Sequence, residues 1–145
     1  MLLIIILFLI LVVAGIVEYA IIASYRKEIP IRILVNGSRG KTSTSRMVCY
    51  SLNGSGITTC GKVTGSEARF LLPNGNEIPT NRNRGINLVR EYKKILQLSL
   101  KNHCQAIVCE CMAINKENQK VVKQILKPNF AIITNCWVDH KDAMG

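Results

Sequence analysis

Aromatic residues make up only 6% of these 145 residues, and no basic helix interleaves them. Nucleic acid is therefore the partner this chain is least suited to read. Acidic residues are also scarce: nine Asp and Glu stand against nineteen Lys and Arg, for a net charge of +10. A surface of that sign suits anions such as nucleotide phosphates, acidic lipid heads or an acidic polymer. No Cys-x-x-Cys pair occurs among the six cysteines, at 49, 60, 104, 109, 111 and 136. They read as buried reduced thiols, with Cys109 and Cys111 on one strand face, and not as a zinc site or a disulfide framework. Internal repeats and low-complexity tracts are absent as well.

Charge is missing altogether from Met1 to Val17, which is almost entirely Leu, Ile, Val, Phe and Ala. After Glu18 the apolar character resumes as far as Ala23, and then comes the basic pair Arg26-Lys27. A helix needs ~20 residues to cross the hydrocarbon core, and a Glu near the end of the span can sit among headgroups. A cleaved signal peptide would show a basic segment before the run and a small-x-small site after it; neither is present. The expectation is one transmembrane anchor over residues 1–25, single-pass in the cell membrane, and a domain over 30–145. The basic flank places that domain in the cytoplasm. About 120 residues then remain, enough for one modest core.

Residues 35–44 read Val-Asn-Gly-Ser-Arg-Gly-Lys-Thr-Ser-Thr, directly after the apolar run Ile31 to Val35. A strand ending in a Gly-rich turn, then Lys-Thr opening a helix, builds a phosphate cradle. Gly37 and Gly40 let successive N–H groups point inward. The helix start supplies its positive dipole end, Lys41 a mobile charge, and Thr42 a hydroxyl for a magnesium ion on the phosphates. The candidate nucleotide-binding set is Gly37, Ser38, Arg39, Gly40, Lys41, Thr42 and Ser43, with Lys41 as the catalytic cation. The usual pattern carries Gly at position 35, where this chain has Val35. The shorter Gly-x-x-Gly-Lys-Thr also fits a plain strand-to-helix turn with an exposed lysine.

Further along, the patterning predicts a helix over 40–53 with Met47, Val48 and Leu52 on its apolar face. A strand follows over 57–63, then a long turn-rich excursion or hairpin over 64–84. A basic amphipathic helix spans 86–100, a short strand 105–111, a helix 115–126 and a buried strand 130–134. Strands alternating with helices imply an α/β domain, a mostly parallel sheet with flanking helices. Ligand groups gather at the carboxyl ends of such strands. Glu110 is the sole charge in its strand and is costly to bury unless paired; magnesium beside a triphosphate or Lys41 would each serve. His140, between Asp139 and Asp142, reads as a second metal ligand or a loop anchor. Arg39, Lys62, Arg69, Arg82 and Arg84 form a basic set that reads, one by one, as solvated charge.

Taken together, Val35-Asn-Gly-Ser-Arg-Gly-Lys-Thr42, Lys62-Val-Thr-Gly-Ser-Glu-Ala-Arg69, Cys109-Glu-Cys-Met-Ala-Ile-Asn115 and Asn135-Cys-Trp-Val-Asp-His-Lys-Asp-Ala-Met-Gly145 resemble the ligase subunits of bacterial poly-γ-glutamate synthases, the PgsB/CapB family. Those subunits are similar to the Mur ligases of peptidoglycan synthesis. The resemblance implies a P-loop, Mur-ligase-like ATP-binding domain behind a membrane helix. It implies an ATP- and Mg2+-dependent carboxylate–amine ligase that polymerises glutamate through an acyl phosphate. The partners implied are glutamate, the acidic polymer, the membrane and other subunits of a synthase. By the same resemblance, Gly37 to Thr42 match the ATP loop, Thr42 and Glu110 the ligands of a first magnesium, and His140 a ligand of a second. Family members run to several hundred residues, so this chain is expected to be an N-terminal part, inactive alone. A membrane-tethered nucleotide switch, or an anchor that recruits acidic polymer, are the alternatives in other classes.

Overall fold

Residues Leu2–Lys27 form one unbroken helix of 26 residues, α1. The computed structural model describes residues 1–65, 67–82, 85–111 and 116–136. After α1 come β1 (Ile31–Asn36), α2 (Lys41–Gly54), β2 (Thr59–Val63), β3 (Arg69–Leu71) and β4 (Glu77–Pro79). Then follow α3 (Leu88–Lys101), β5 (Ala106–Glu110), α4 (Lys116–Leu126) and β6 (Phe130–Ile133). The strands join one sheet in the order β4-β3-β2-β5-β1-β6. β2, β5, β1 and β6 are parallel, while β3 and β4 add an antiparallel hairpin at one edge. The long excursion after β2 thus extends the sheet. The α/β architecture expected from the alternation of strands and helices is the one found.

Each face of the sheet has its own core. Ile107 and Cys109 of β5 turn to the face covered by α3, α4 and the end of α1, where Tyr92, Ile95, Leu96, Val122 and Leu126 pack. Val108 turns to the α2 face, with Val35, Cys49, Val63 and Leu71. This is the two-residue period of a strand buried on both sides. Full burial of a side chain such as Leu96 contributes about 1.5–3 kcal/mol. α2 meets the sheet through Ser45 and Cys49, with Val48 and Leu52 packed beside them as expected, while Met47 is 68% exposed and lies off that face. Ile22 of α1 is buried and Tyr25 packs beside it, so the last turns of α1 belong to the core.

Two expectations are corrected. The strand at 130–134 is not buried: Phe130 and Ile133 are 57% and 67% exposed, because among the described residues β6 pairs only with β1 and forms the edge of the sheet. Lys62, read as a surface charge, is fully buried. Its Nζ lies 3.0 Å from Glu91 Oε2 and 4.7 Å from the centre of the Tyr92 ring. Arg82 closes the network with two bonds to the same carboxylate, 2.8 and 2.9 Å. Burial pushes the Glu91 carboxyl up, but the bonds from Arg82 and the charge of Lys62 outweigh it and hold the group below its ordinary value.

Removing one partner of a buried pair leaves an uncompensated charge. We expect Glu91→Gln to lower the unfolding free energy by about 3–5 kcal/mol in urea melts. The sign with pH follows from the depressed value in the fold. The stabilisation is complete above the ordinary carboxyl value of 4.5 and is lost as pH falls through the lower folded value. An acid-limb melt separates Glu91→Gln, which lacks that term, from the parent chain.

Candidate active site

The loop at 37–40 is shaped by two glycines and fastened to the end of β6. Gly37 and Gly40 have φ of 133° and 78°, values that L side chains avoid. A Cβ on Gly37 would lie 2.1 Å from Thr134 Oγ1, so only glycine permits the approach. Asn135 is the clamp: its carbonyl accepts from Ser38 N at 3.2 Å, and its Oδ1 accepts from Arg39 N at 3.0 Å. Thr134 Oγ1 and Asn135 Nδ2 donate to Arg39 O at 2.7 and 3.0 Å. Gly40 is the N-cap of α2 and offers no side-chain cap. The first-turn N–H groups therefore keep their capacity for an anion, at the positive end of the helix.

Lys41 folds back over the loop, its Nζ donating to Gly37 O at 2.7 Å and Ser38 O at 3.0 Å. Ser43 lies exposed on the first turn of α2. Thr42 points to the sheet, where Oγ1 donates to Glu110 Oε2 at 3.0 Å. The same oxygen accepts the Thr64 N–H at 2.7 Å. Glu110 is 2% exposed. A Cβ on Gly65 would stand 2.8 Å from Thr42 Oγ1, so the residue after Thr64 has to be small for this meeting to occur. Behind the strand, Tyr92 Oη donates to the Glu110 carbonyl at 3.1 Å. Burial pushes that phenol well above its ordinary value, so it stays a donor.

Sequence reasoning grouped Gly37 to Thr42 with Glu110, and the fold brings these together at the carboxyl ends of β1 and β5. Lys41 is not the ion-pair partner of Glu110; its bonds go to loop carbonyls. His140 and Arg84 lie outside the described residues. Asn135 and Thr64 were expected at the same strand ends, and the structure brings them to the site, though neither had been given a specific role. Their signal was positional, polar residues just past the ends of strands; Tyr92 carried no such signal, since an aromatic in an amphipathic helix reads as core.

The donor set fits magnesium. A buried carboxylate and a threonine hydroxyl beside a glycine loop match the few protein ligands that ion takes beside nucleotide oxygens. Glu110 Oε1 has no hydrogen-bond partner among the described residues, which leaves it for a cation. No group of three or more His, Cys, Asp and Glu side chains occurs among the described residues. The thiols flanking Glu110 are poor ligands: burial pushes Cys109 up to about 12 and raises Cys111 as well.

Comparison with known proteins agrees with this geometry. Residues 35–145 match the Mur ligase middle domain. The chain is 33% identical to PGA synthase CapB of Bacillus subtilis (strain 168) over 138 residues, covering 94% of this chain and 35% of that protein. It is 30% identical to the capsule biosynthesis protein CapB of Bacillus anthracis over 137 residues, covering 93% of this chain and 30% of that one. It thus spans about a third of the length of these curated relatives. A glycine loop after β1, a carboxylate at the end of β5 and a match from Val35 onward all coincide, and the chain belongs to the Mur ligase middle-domain family.

Proposed function

We propose that this chain is the ATP-binding part of a membrane-anchored ligase that joins glutamate into poly-γ-glutamate. The observation that supports it best is the Thr42–Glu110–Thr64 cluster set beside an uncapped helix start and a glycine loop. The loop N–H groups and α2 would cradle the phosphates, and Lys41 would leave its loop carbonyls for the outer phosphate oxygens. Thr42 and Glu110 would hold a first magnesium, and His140 is the proposed ligand of a second. Bound there, magnesium supplies charge neutralisation at the phosphate oxygens. In the reaction, a carboxylate oxygen of glutamate or of the chain end attacks the γ-phosphorus of ATP and ADP leaves. The amine of the next unit then attacks the acyl carbon, and phosphate leaves as the amide forms. Positioning and charge stabilisation carry such a transfer.

The exposed apolar stretch of α1 would span the membrane once, with residues from Arg26 onward in the cytoplasm. Other synthase subunits in the same membrane are the expected partners. The basic surface suits the acidic product.

In a protein of the relatives' full length, ATP turnover should depend on glutamate or its polymer. Phosphate release measured with and without glutamate decides this; equal rates point instead to a nucleotide switch.

Lys41→Ala should abolish that turnover and leave the protein in the membrane fraction, since α1 is untouched. Retained turnover ends the phosphate-loop assignment.

Glu110→Gln tests the metal seat. The amide oxygen still accepts from Thr42 and Thr64, and no buried cation is orphaned, so stability should stay within about 1 kcal/mol of the parent. Turnover should fall by roughly 10²-fold or more, with a raised magnesium requirement. A destabilised variant with unchanged magnesium dependence would sink the assignment.

A further inference from the structure

α1 and α3 run side by side in the same direction. Glu18 Oε1 accepts from Lys93 Nζ, in the second turn of α3, at 3.0 Å. Further along α1, Arg26 Nη1 donates to the Gln124 and Ile125 carbonyls in the last turn of α4, at 2.9 and 2.7 Å. Both α3 and α4 end at the amino ends of the strands, where they lead into β5 and β6. α1 therefore descends toward those amino ends. Its exposed apolar residues, Met1 to Val17, project the opposite way, toward the side of the sheet that carries Gly37–Thr42 and Glu110. With Ile22 buried and Tyr25 packed in the core, this direction is fixed by packing and not by a linker.

Beside the point where α1 leaves the domain, α3 and the segment leading into it present apolar and basic groups together. Ile86 and Val89 are 52% and 36% exposed. Arg90, Lys93 and Lys94 follow on the next turn and rim a groove of about 1000 Å³ between α3 and the β3–β4 hairpin, lined below by Phe70, Ile78 and Pro79. Arg90 and Lys94 have no acidic partner among the described residues. Because Glu18 marks the end of the uncharged stretch, its partner Lys93 comes to headgroup level when α1 spans a bilayer.

We infer that the N-terminal half of α3 lies on the bilayer, with anionic phospholipid headgroups against Arg90, Lys93 and Lys94. The nucleotide edge of the sheet then faces the membrane. The inference rests on the membrane anchor proposed above. Exposed aliphatic side chains among cations are the signature of an interfacial surface, and juxtamembrane cations draw acidic lipid. An acidic polymer would meet the same cations, but it gains nothing from Ile86, Val89 and the apolar groove floor.

The test uses the full chain in nanodiscs of phosphatidylcholine, alone or mixed with phosphatidylglycerol. Amine acylation of Lys94 is followed by mass spectrometry, with exposed Lys127, at the opposite end of the sheet, as reference. Lys94 should react roughly five-fold more slowly in the phosphatidylglycerol discs. High salt should restore the rate, and Arg90→Glu should remove most of the difference. Co-elution with discs but equal Lys94 rates in both would overturn the inference alone. A chain that co-elutes with neither disc would overturn the anchor and this inference together. Slowing by soluble polyglutamate in phosphatidylcholine discs, with no phosphatidylglycerol effect, would assign the groove to polymer and overturn the lipid assignment.

Discussion

Glu110 stands at the end of β5, between β1 and β2, and is 2% exposed. A carboxylate there is costly unless it is bonded. Thr42 Oγ1 and the Thr64 N–H supply those bonds to one oxygen, and Tyr92 Oη takes the residue's carbonyl. The start of α2, the exit of β2 and the second turn of α3 are therefore all positioned on one residue. The register supports it, since Val35 pairs with Glu110 and Lys62 with Cys109. The residue at this strand end is thus the joint that sets the start of α2 against the glycine loop.

Two lysines lie close to this joint and neither neutralises it. Lys62 is on the α3 face of β2 and is held by Glu91 and the Tyr92 ring. Lys41 is held by two loop carbonyls, which are neutral acceptors. Had either lysine taken Glu110, the carboxylate would have carried its own counter-ion. The Glu91–Arg82 pair thus has a role at a distance: it keeps a buried ammonium occupied away from the site.

Strands, helices and the glycine turn that opens α2 were legible in the sequence because each rests on local rules: period, glycine placement and a lone carboxylate in an apolar strand. The failures were all failures of context. Lys62 looks like any surface lysine, since nothing local shows that Glu91 and Tyr92, far along the chain, will enclose it. Phe-Ala-Ile-Ile at 130–133 reads as a buried strand, and only the strand order makes it an edge. Asn135 was visible as a polar residue past a strand, but its clamp on Arg39 depends on β1 and β6 lying side by side. Pairing across the sheet has no signature within a window of a dozen residues.

α1 shows the same limit in another form. Lipid-facing and core-facing aliphatics are chemically alike, so an apolar run does not reveal where a span stops and a core begins. Met1 to Val17 and Tyr19 are exposed, whereas Ile22 and Arg26 are buried against the domain. A boundary near residue 25 therefore cuts through packed structure, because the helix continues to Lys27 and its guanidinium at Arg26 satisfies the carbonyls that end α4. Those carbonyls have no partner within their own helix. A cation from α1 answers them, and the dipole of α4 favours its charge there. The same helix thus has two parts: an exposed apolar end that is a candidate membrane span, and a basic end that completes the fold carrying the glycine loop.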